Sequence, residues 1–240
     1  MHMASFIVLE LTTLVAISFA AIHYWARPLH KWLYTSEQIA ISFSGGMAIT
    51  YVFLHLLPEL EQGDVSLGRF PIHIVALIGF LLFYGAQRWI WSQTQDDSQE
   101  LNKRAFWLQM LFISSYNFLL IYSIPEQFEQ SIPFAFIYVL AMSLHLLSTD
   151  HHLSEHYKHL FDQQGRYALI AAVFCGLVTD LFAEAANRTF SNTLTALLTG
   201  FLMFNIFKEE LPDHKETRFV WFLSGVVFYI FLLGGSWLLG

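Results

Sequence analysis

Residues 45–60 read Gly45-Gly46-Met47-Ala48-Ile49-Thr50-Tyr51-Val52-Phe53-Leu54-His55-Leu56-Leu57-Pro58-Glu59-Leu60. Residues 199–213 read Thr199-Gly200-Phe201-Leu202-Met203-Phe204-Asn205-Ile206-Phe207-Lys208-Glu209-Glu210-Leu211-Pro212-Asp213 and repeat that plan. The spacing from Gly46 to Pro58 equals that from Gly200 to Pro212. Phe53 falls on Phe207, Leu57 on Leu211, and an acid follows each proline, while His55 falls opposite Glu209. A looser echo lies one segment further on, around Gly79-Phe80 with Phe83-Tyr84 and around Gly225 with Phe228-Tyr229. Apolar runs of this kind, closed by a proline, read as membrane-spanning helices that stop at the membrane surface.

Composition agrees. Of 240 residues, 55% are hydrophobic and 13% charged, and the mean hydropathy is +0.49. Soluble domains carry about a quarter charged residues, so this chain has too few to coat a soluble globule. The 24 Phe and 7 Trp point the same way. A net charge of −7 without a Lys/Arg run argues against nucleic-acid binding. Cys175 stands alone, so no internal disulfide forms and the redox compartment is not readable.

Eight apolar stretches are long enough to span: 5–25, 36–58, 71–91, 106–124, 133–152, 167–186, 192–211 and 218–239. Backbone polar groups in lipid must be satisfied internally, which makes these spans helical. The expectation is an all-α polytopic membrane protein with one transmembrane domain over 1–240. Its longest polar connections are Glu61–Arg69, Ser92–Arg104 and His151–Arg166. Span 1 lacks a basic leader and carries Glu10, so it reads as a retained helix.

Basic residues set the orientation. With the N-terminus outside, the cytoplasmic ends hold Arg27, Lys31, Arg88, Lys103, Arg104, Lys158, Arg166, Lys208, Lys215 and Arg218, leaving Arg69 and Arg188 outside. Trp25, Trp32, Trp89, Trp91, Trp107 and Trp221 fall near the same inner interface. Both termini are therefore expected outside, and the membrane is expected to be a bacterial inner one; Glu59, Glu61, Asp64, Glu126, Glu129 and Glu184 then form an acidic outer mouth that concentrates cations, or are ordinary solvated loop acids. Spans 1–3 start outside and spans 6–8 start inside, so the repeats are inverted, with spans 4 and 5 between them. Inverted repeats around a central site are a transporter architecture.

The chain thereby resembles the ZIP (Zrt/Irt-like) family of divalent-metal transporters, in its 3+2+3 layout of eight helices and in the two stretches quoted above. The resemblance implies passage of zinc, iron, manganese or similar ions toward the cytoplasm by movement of one helix group against another. It also implies a metal site in spans 4 and 5, at motifs close to His-Asn-x-Pro-Glu-Gly and His-Glu-x-Pro-His-Glu. Here Tyr116-Asn117-Phe118-Leu119-Leu120-Ile121 stands at the first and His145-Leu146-Leu147-Ser148-Thr149-Asp150 at the second. Asn117, His145 and the acid Asp150 fit; Tyr116, Leu120, Leu146 and Thr149 replace ligands. Asp180 of span 6 is the counterpart of a further family carboxylate.

The residues themselves make span 5 the richest segment. Helical spacing puts His145, Thr149, His152, His156 and His159 on one stripe if the helix continues that far. Imidazole and carboxylate together suit borderline divalent metals. The metal set is thus His145, Asp150 and Asp180, helped by Asn117 and Thr149. His152, His156 and His159 are cytoplasmic metal candidates, or solvated histidines near lipid headgroups. Asp180 lies deep enough that its charge must face the bundle or a wet cavity. His55 and Glu59 are entrance candidates or helix-end residues.

Transport of divalent cations, zinc above iron, manganese and cadmium, is the first reading, with the metal as substrate and no resident cofactor. The ligands must be deprotonated, so uptake is expected to fall in acid. The alternative is a non-transporting ZIP-like sensor or accessory protein. An intramembrane zinc hydrolase ranks third, because such a site needs about three convergent protein ligands; the chain is not expected to be an enzyme. Its expected partners are divalent ions and membrane lipids, and a homodimer is open to it.

Overall fold

The computed structural model of the chain describes residues 2–33, 37–62, 71–94, 99–182, 188–205, 207 and 219–239. Among these every regular element is helical. α1 is His2–Leu33. α2 runs as Glu37–Tyr51, a π-helical turn Val52–Leu56, and Leu57–Gln62. α3 is Ile72–Thr94, α4 Gln99–Gln130 and α5 Ile132–Tyr157. A π-helical turn, Phe161–Gly165, leads into α6, Arg166–Phe182; α7 is Arg188–Asn205 and α8 Phe219–Leu239. Eight helical rods thus stand where eight spans were expected.

Four helices are long and apolar enough to cross a membrane, within Phe6–Trp32, Ile72–Ile90, Lys103–Phe128 and Ile132–Tyr157, and two shorter apolar helices lie at Ile41–Leu56 and Phe219–Gly235. Their outer faces expose large apolar side chains, among them Phe6, Leu14, Leu77, Leu111, Phe136 and Phe231. This is compatible with a helical membrane protein, since a soluble monomer rarely shows so much contiguous apolar surface.

All three expected polar connections are partly helix, Glu61 and Gln62 belonging to the end of α2. Gln99–Arg104 begins α4, and His151–Tyr157 completes α5. Gln99–Arg104 is rich in helix formers, and in both stretches backbone hydrogen bonding continues past the edge of an apolar run. Hydropathy marks the thickness of lipid, whereas propensity and capping set where a helix stops. After Tyr157 the chain does turn: Lys158 has φ 41, a left-handed backbone that ends α5. His159 therefore lies beyond the helix that carries His145, His152 and His156, and the expected stripe stops at His156.

Prolines shape two helices that matter for the site. Pro28 has no N–H to give and its ring crowds the carbonyl four residues back, and α1 kinks at Trp25 (φ −107, ψ 22). Pro58 does the same to α2, which takes up the strain by widening into the π-helical turn that holds His55.

α4 and α5 form the middle of the bundle: 56% of each apolar window is buried, against 33% for α1 and 22% for α3. α1 packs on α5, α6 and α4. The most extensive crossings are α3 with α7 and α2 with α8, and α4 lies along α6; α2 with α5, α3 with α4, α4 with α5, α4 with α7, α5 with α8 and α2 with α7 also touch. Glycine makes the two largest crossings close. A Cβ on Gly46 would run into the Phe222 carbonyl of α8, and one on Gly225 into the Phe43 carbonyl of α2. On the other side, a Cβ on Gly200 would strike the Ala76 carbonyl of α3, and one on Gly79 would come 2.6 Å from the Leu197 carbonyl of α7. Small residues at a crossing let backbones approach where lipid offers no hydrophobic drive.

Candidate functional site

Seven polar or aromatic side chains from four helices form two groups inside the bundle: His23 of α1, Asn117 of α4 and Asp150 of α5 in one, and Tyr116 of α4, His145 and Thr149 of α5 and Asn205 of α7 in the other. Six of them are polar or charged groups buried at 9% exposure or less, and Tyr116 is 4% exposed.

One half of this centre is a chain of three. His23 Nδ1 and Asp150 Oδ2 are 2.6 Å apart, and His23 Nε2 is 3.0 Å from Asn117 Oδ1. Asn117 donates through Nδ2 to the Ile113 carbonyl at 2.9 Å. Its Oδ1 is thus an acceptor, and His23 Nε2 carries a proton and donates. A second proton then lies on the short Nδ1–Oδ2 contact, whichever atom holds it. The pair has no net charge either way, which removes most of the cost of placing a carboxylate in an apolar interior. The other carboxylate oxygen, Asp150 Oδ1, is buried and accepts no hydrogen bond among the described residues.

The other half surrounds His145, which is fully buried. Asn205 donates through Nδ2 to His145 Nε2 at 3.1 Å, and the same amide lies 3.5 Å from Thr149 Oγ1. The Tyr116 ring stands edge-on to the His145 ring at 5.9 Å and 86°, and its hydroxyl lies 3.5 Å from Met142 Sδ. Thr149 and Asp150 are neighbours on α5 and link the two halves. Below them, Arg27 continues from the α1 kink to donate to Asp162 Oδ2 at 2.6 Å and to the Ser154 carbonyl at 2.8 Å.

Of the five residues expected to form the metal set, Asn117 and Asp150 share His23 as a partner, and His145 and Thr149 share Asn205. The fifth, Asp180, is half-buried on α6, on the side toward Tyr122 of α4. It stands nearer the far end of α4 than Asn117 does. Among the described residues no three His, Cys, Asp or Glu side chains converge in the manner of a metal site.

The expected entrance and exit residues are at opposite ends of the bundle. His55 Nε2 lies 2.8 Å from Gln127 Oε1, with its ring 4.1 Å from that of Phe134 and 5.1 Å from that of Tyr51. Glu59 is in the last turn of α2, but its side chain lies outside the described residues, as do Glu61, Asp64, Glu209 and Asp213. Glu10 is exposed on α1. His152 and His156 are exposed at the other end of α5 and line a cavity there.

His23 and Asn205 are the members that sequence reasoning missed. Both are polar groups within otherwise apolar spans, the same signal that singled out Asp180 and Asn117. His23 also sits just ahead of the Trp25 kink, which turns the end of α1 and lets His23 and Arg27 reach α5 at two levels. No protein-family model matches this chain, and no curated protein matches it either.

Proposed function

We propose that the chain is a ZIP-like transporter that carries divalent metal cations, zinc first and iron, manganese or cadmium after it, across a membrane toward the cytoplasm. The polar centre between α1, α4, α5 and α7 is its site. The observation that carries this reading is Asp150, a carboxylate deep in the bundle with one oxygen on His23 and the other accepting no hydrogen bond among the described residues. An oxygen so placed is costly until a donor or a cation reaches it. The His23 imidazole is its partner, and the group of His145, Asn205 and the neighbouring Thr149 holds a second imidazole, an amide and a hydroxyl, ligand types that borderline divalent ions accept. A cation arriving at Asp150 and His145 takes the place of His23 and Asn205 as their partner. His23 on α1 then supplies the imidazole that Tyr116 withholds from the resembled motif.

Helix packing supports the 3+2+3 inverted repeat. Exchanging α1 with α6, α2 with α7, α3 with α8 and α4 with α5 turns the α2–α8 crossing into α7–α3, both closed by paired glycines. The same exchange turns α1–α5 into α6–α4, α2–α5 into α7–α4, and α3–α4 into α8–α5. Orientation is supported by one end of the bundle, where Trp25, Trp32, Trp89 and Trp107 are exposed beside Arg27, Arg88 and Arg104. That end faces the cytoplasm in this reading, both termini lie outside, and the membrane is the bacterial inner one.

A non-transporting sensor or accessory protein is the second reading. It is favoured by the absence, among the described residues, of three convergent ligand side chains. Equilibrium dialysis of the detergent-purified protein against zinc, cadmium and manganese tests whether the centre binds at all. The expected result is saturable binding by the wild type that weakens at least about tenfold in the His145→Ala/Asp150→Asn variant, as loss of two ligands requires. Unchanged binding in that variant assigns the ion elsewhere and contradicts the site.

A further inference from the structure

Past the His23–Asp150 pair, α1 meets α5 again. Arg27 donates through Nη2 to the Ser154 carbonyl at 2.8 Å and through Nη1 to Asp162 Oδ2 at 2.6 Å. His23 and Arg27 are four residues apart on α1, and so are Asp150 and Ser154 on α5, so the two helices are tied at two levels about one turn apart. Between the ties α1 leaves the helical path at Trp25. The Ser154 carbonyl accepts the last backbone bond of α5, from the Lys158 N–H at 3.0 Å, and Asp162 belongs to the π-helical turn that leads into α6. One guanidinium therefore joins the end of α1, the end of α5 and the start of α6. A cation at the C-terminus of α5 also complements the dipole of that helix.

The two ties differ in depth. The His23–Asp150 pair is sealed, at 0% and 1% exposure, whereas Arg27 and Asp162 are 42% and 36% exposed. Ser154, under Arg27, is buried. An exposed pair parts in water without stranding either charge in an apolar interior. The segment it holds is also weakly attached. Pro28 has no N–H to give to the Tyr24 carbonyl, so residues 26–33 hang on fewer backbone bonds than the end of a straight helix. The His30 ring of this segment lies flat on the His151 ring of α5, 3.5 Å away, so the segment rests on α5 and Arg27 fixes it there. We propose that Arg27 is a latch on the polar centre. Closed, it holds the last segment of α1 over Ser154 and seals the His23–Asp150 pair at that end of the bundle. Released, it lets the segment swing at the Trp25 kink and admits water to Ser154 and to the pair beneath. The inference concerns access to the centre, whatever the centre binds.

The test is cysteine accessibility in the intact, detergent-purified protein without added metal. The exposed Cys175 is replaced by alanine, and Ser154→Cys or Thr199→Cys supplies the single thiol. Both positions are at 0% exposure, and Thr199 is on α7, which Arg27 does not touch. Labelling by a charged methanethiosulfonate is timed by mass spectrometry, with Arg27 in place and in Arg27→Gln. Loss of the charge-assisted hydrogen bonds should speed labelling at Ser154→Cys about tenfold and leave Thr199→Cys slow. Hydrogen exchange over residues 26–33 of the chain with no cysteine introduced reads the same opening if Ser154→Cys does not fold, and should quicken in Arg27→Gln while α7 stays protected. Equal labelling at residue 154 with and without Arg27, equal acceleration at residues 154 and 199, or unchanged exchange over 26–33 overturns the proposal. None of these readouts involves a metal ion, so failure of the latch and failure of the transport reading are distinguishable.

Discussion

Asp150→Ala should lower the melting temperature sharply and abolish cation uptake, while the double change His23→Leu/Asp150→Leu should restore the first and not the second. The pair is 2.6 Å apart, at 0% and 1% exposure. Removing one member of a buried pair costs about 3–5 kcal/mol, because the other is left without its partner. For a chain of this length that corresponds to a drop on the order of 10 °C. Replacing both members by leucine removes the demand for a partner, and such exchanges are often neutral or stabilising. Asn117 then loses the donor to its Oδ1 but keeps its bond to the Ile113 carbonyl, so the recovery should be partial. Paired melting and uptake measurements on the single and double variants check this. A double variant as unstable as Asp150→Ala would mean that the pair does not act as a unit. Uptake by the double variant would mean that the pair is not part of the path.

The second large effect concerns packing. Gly200→Ala should destabilise the fold by about 3 kcal/mol or more, at the upper end of overpacking costs, whereas Gly85→Ala should be neutral or slightly stabilising. A Cβ at Gly200 meets the Ala76 carbonyl and comes 2.7 Å from the Phe80 amide nitrogen, both backbone atoms that cannot swing aside. The α3–α7 crossing would have to open to admit it. A Cβ at Gly85 meets nothing within 4 Å, and alanine is the better helix former. Gly46→Ala, at the α2–α8 crossing, should resemble Gly200→Ala. Thermal melts of the three variants in one detergent decide the matter. Equal behaviour of Gly200→Ala and Gly85→Ala would show that the close approach of α3 and α7 carries little of the stability.

Much of the fold was legible because it rests on signals with a direct physical origin. Apolar runs marked all eight rods, and four of these are long and apolar enough to cross a membrane among the described residues. The Gly46 and Gly200 echo marked two helices that do use those glycines for close contact. What was not legible is which helix each glycine meets: α2 packs on α8 and α7 on α3, a pairing set by three-dimensional closure and not by local sequence. Helix ends were misjudged at Gln99–Arg104 and at His151–Tyr157, where polar residues read as loop but continue the helix. Lys158 was not recognisable as a break, because its left-handed backbone has no glycine or asparagine to announce it.

The candidate site was half legible. Asn117, His145, Thr149 and Asp150 could be picked out from their positions in spans 4 and 5, and the structure buries all four, two beside His23 and two beside Asn205. His23 and Asn205 come from α1 and α7, and nothing in their local sequence tells which helix they face. Asp180 illustrates the converse. Depth in the membrane says that a carboxylate needs a polar setting, but not whose, and its neighbour is Tyr122.

Cation uptake through the Asp150 centre is tested most directly by influx of zinc, cadmium, manganese and iron(II) into sealed proteoliposomes, with empty vesicles as the baseline. Wild type, Asp150→Asn and Asp180→Asn are compared, since asparagine keeps the shape of each carboxylate and removes its charge. The account predicts saturable uptake by the wild type, its loss in Asp150→Asn, and retention of most of it in Asp180→Asn. Folded protein that moves none of these ions, or Asp150→Asn vesicles that fill as fast as wild type, would contradict it.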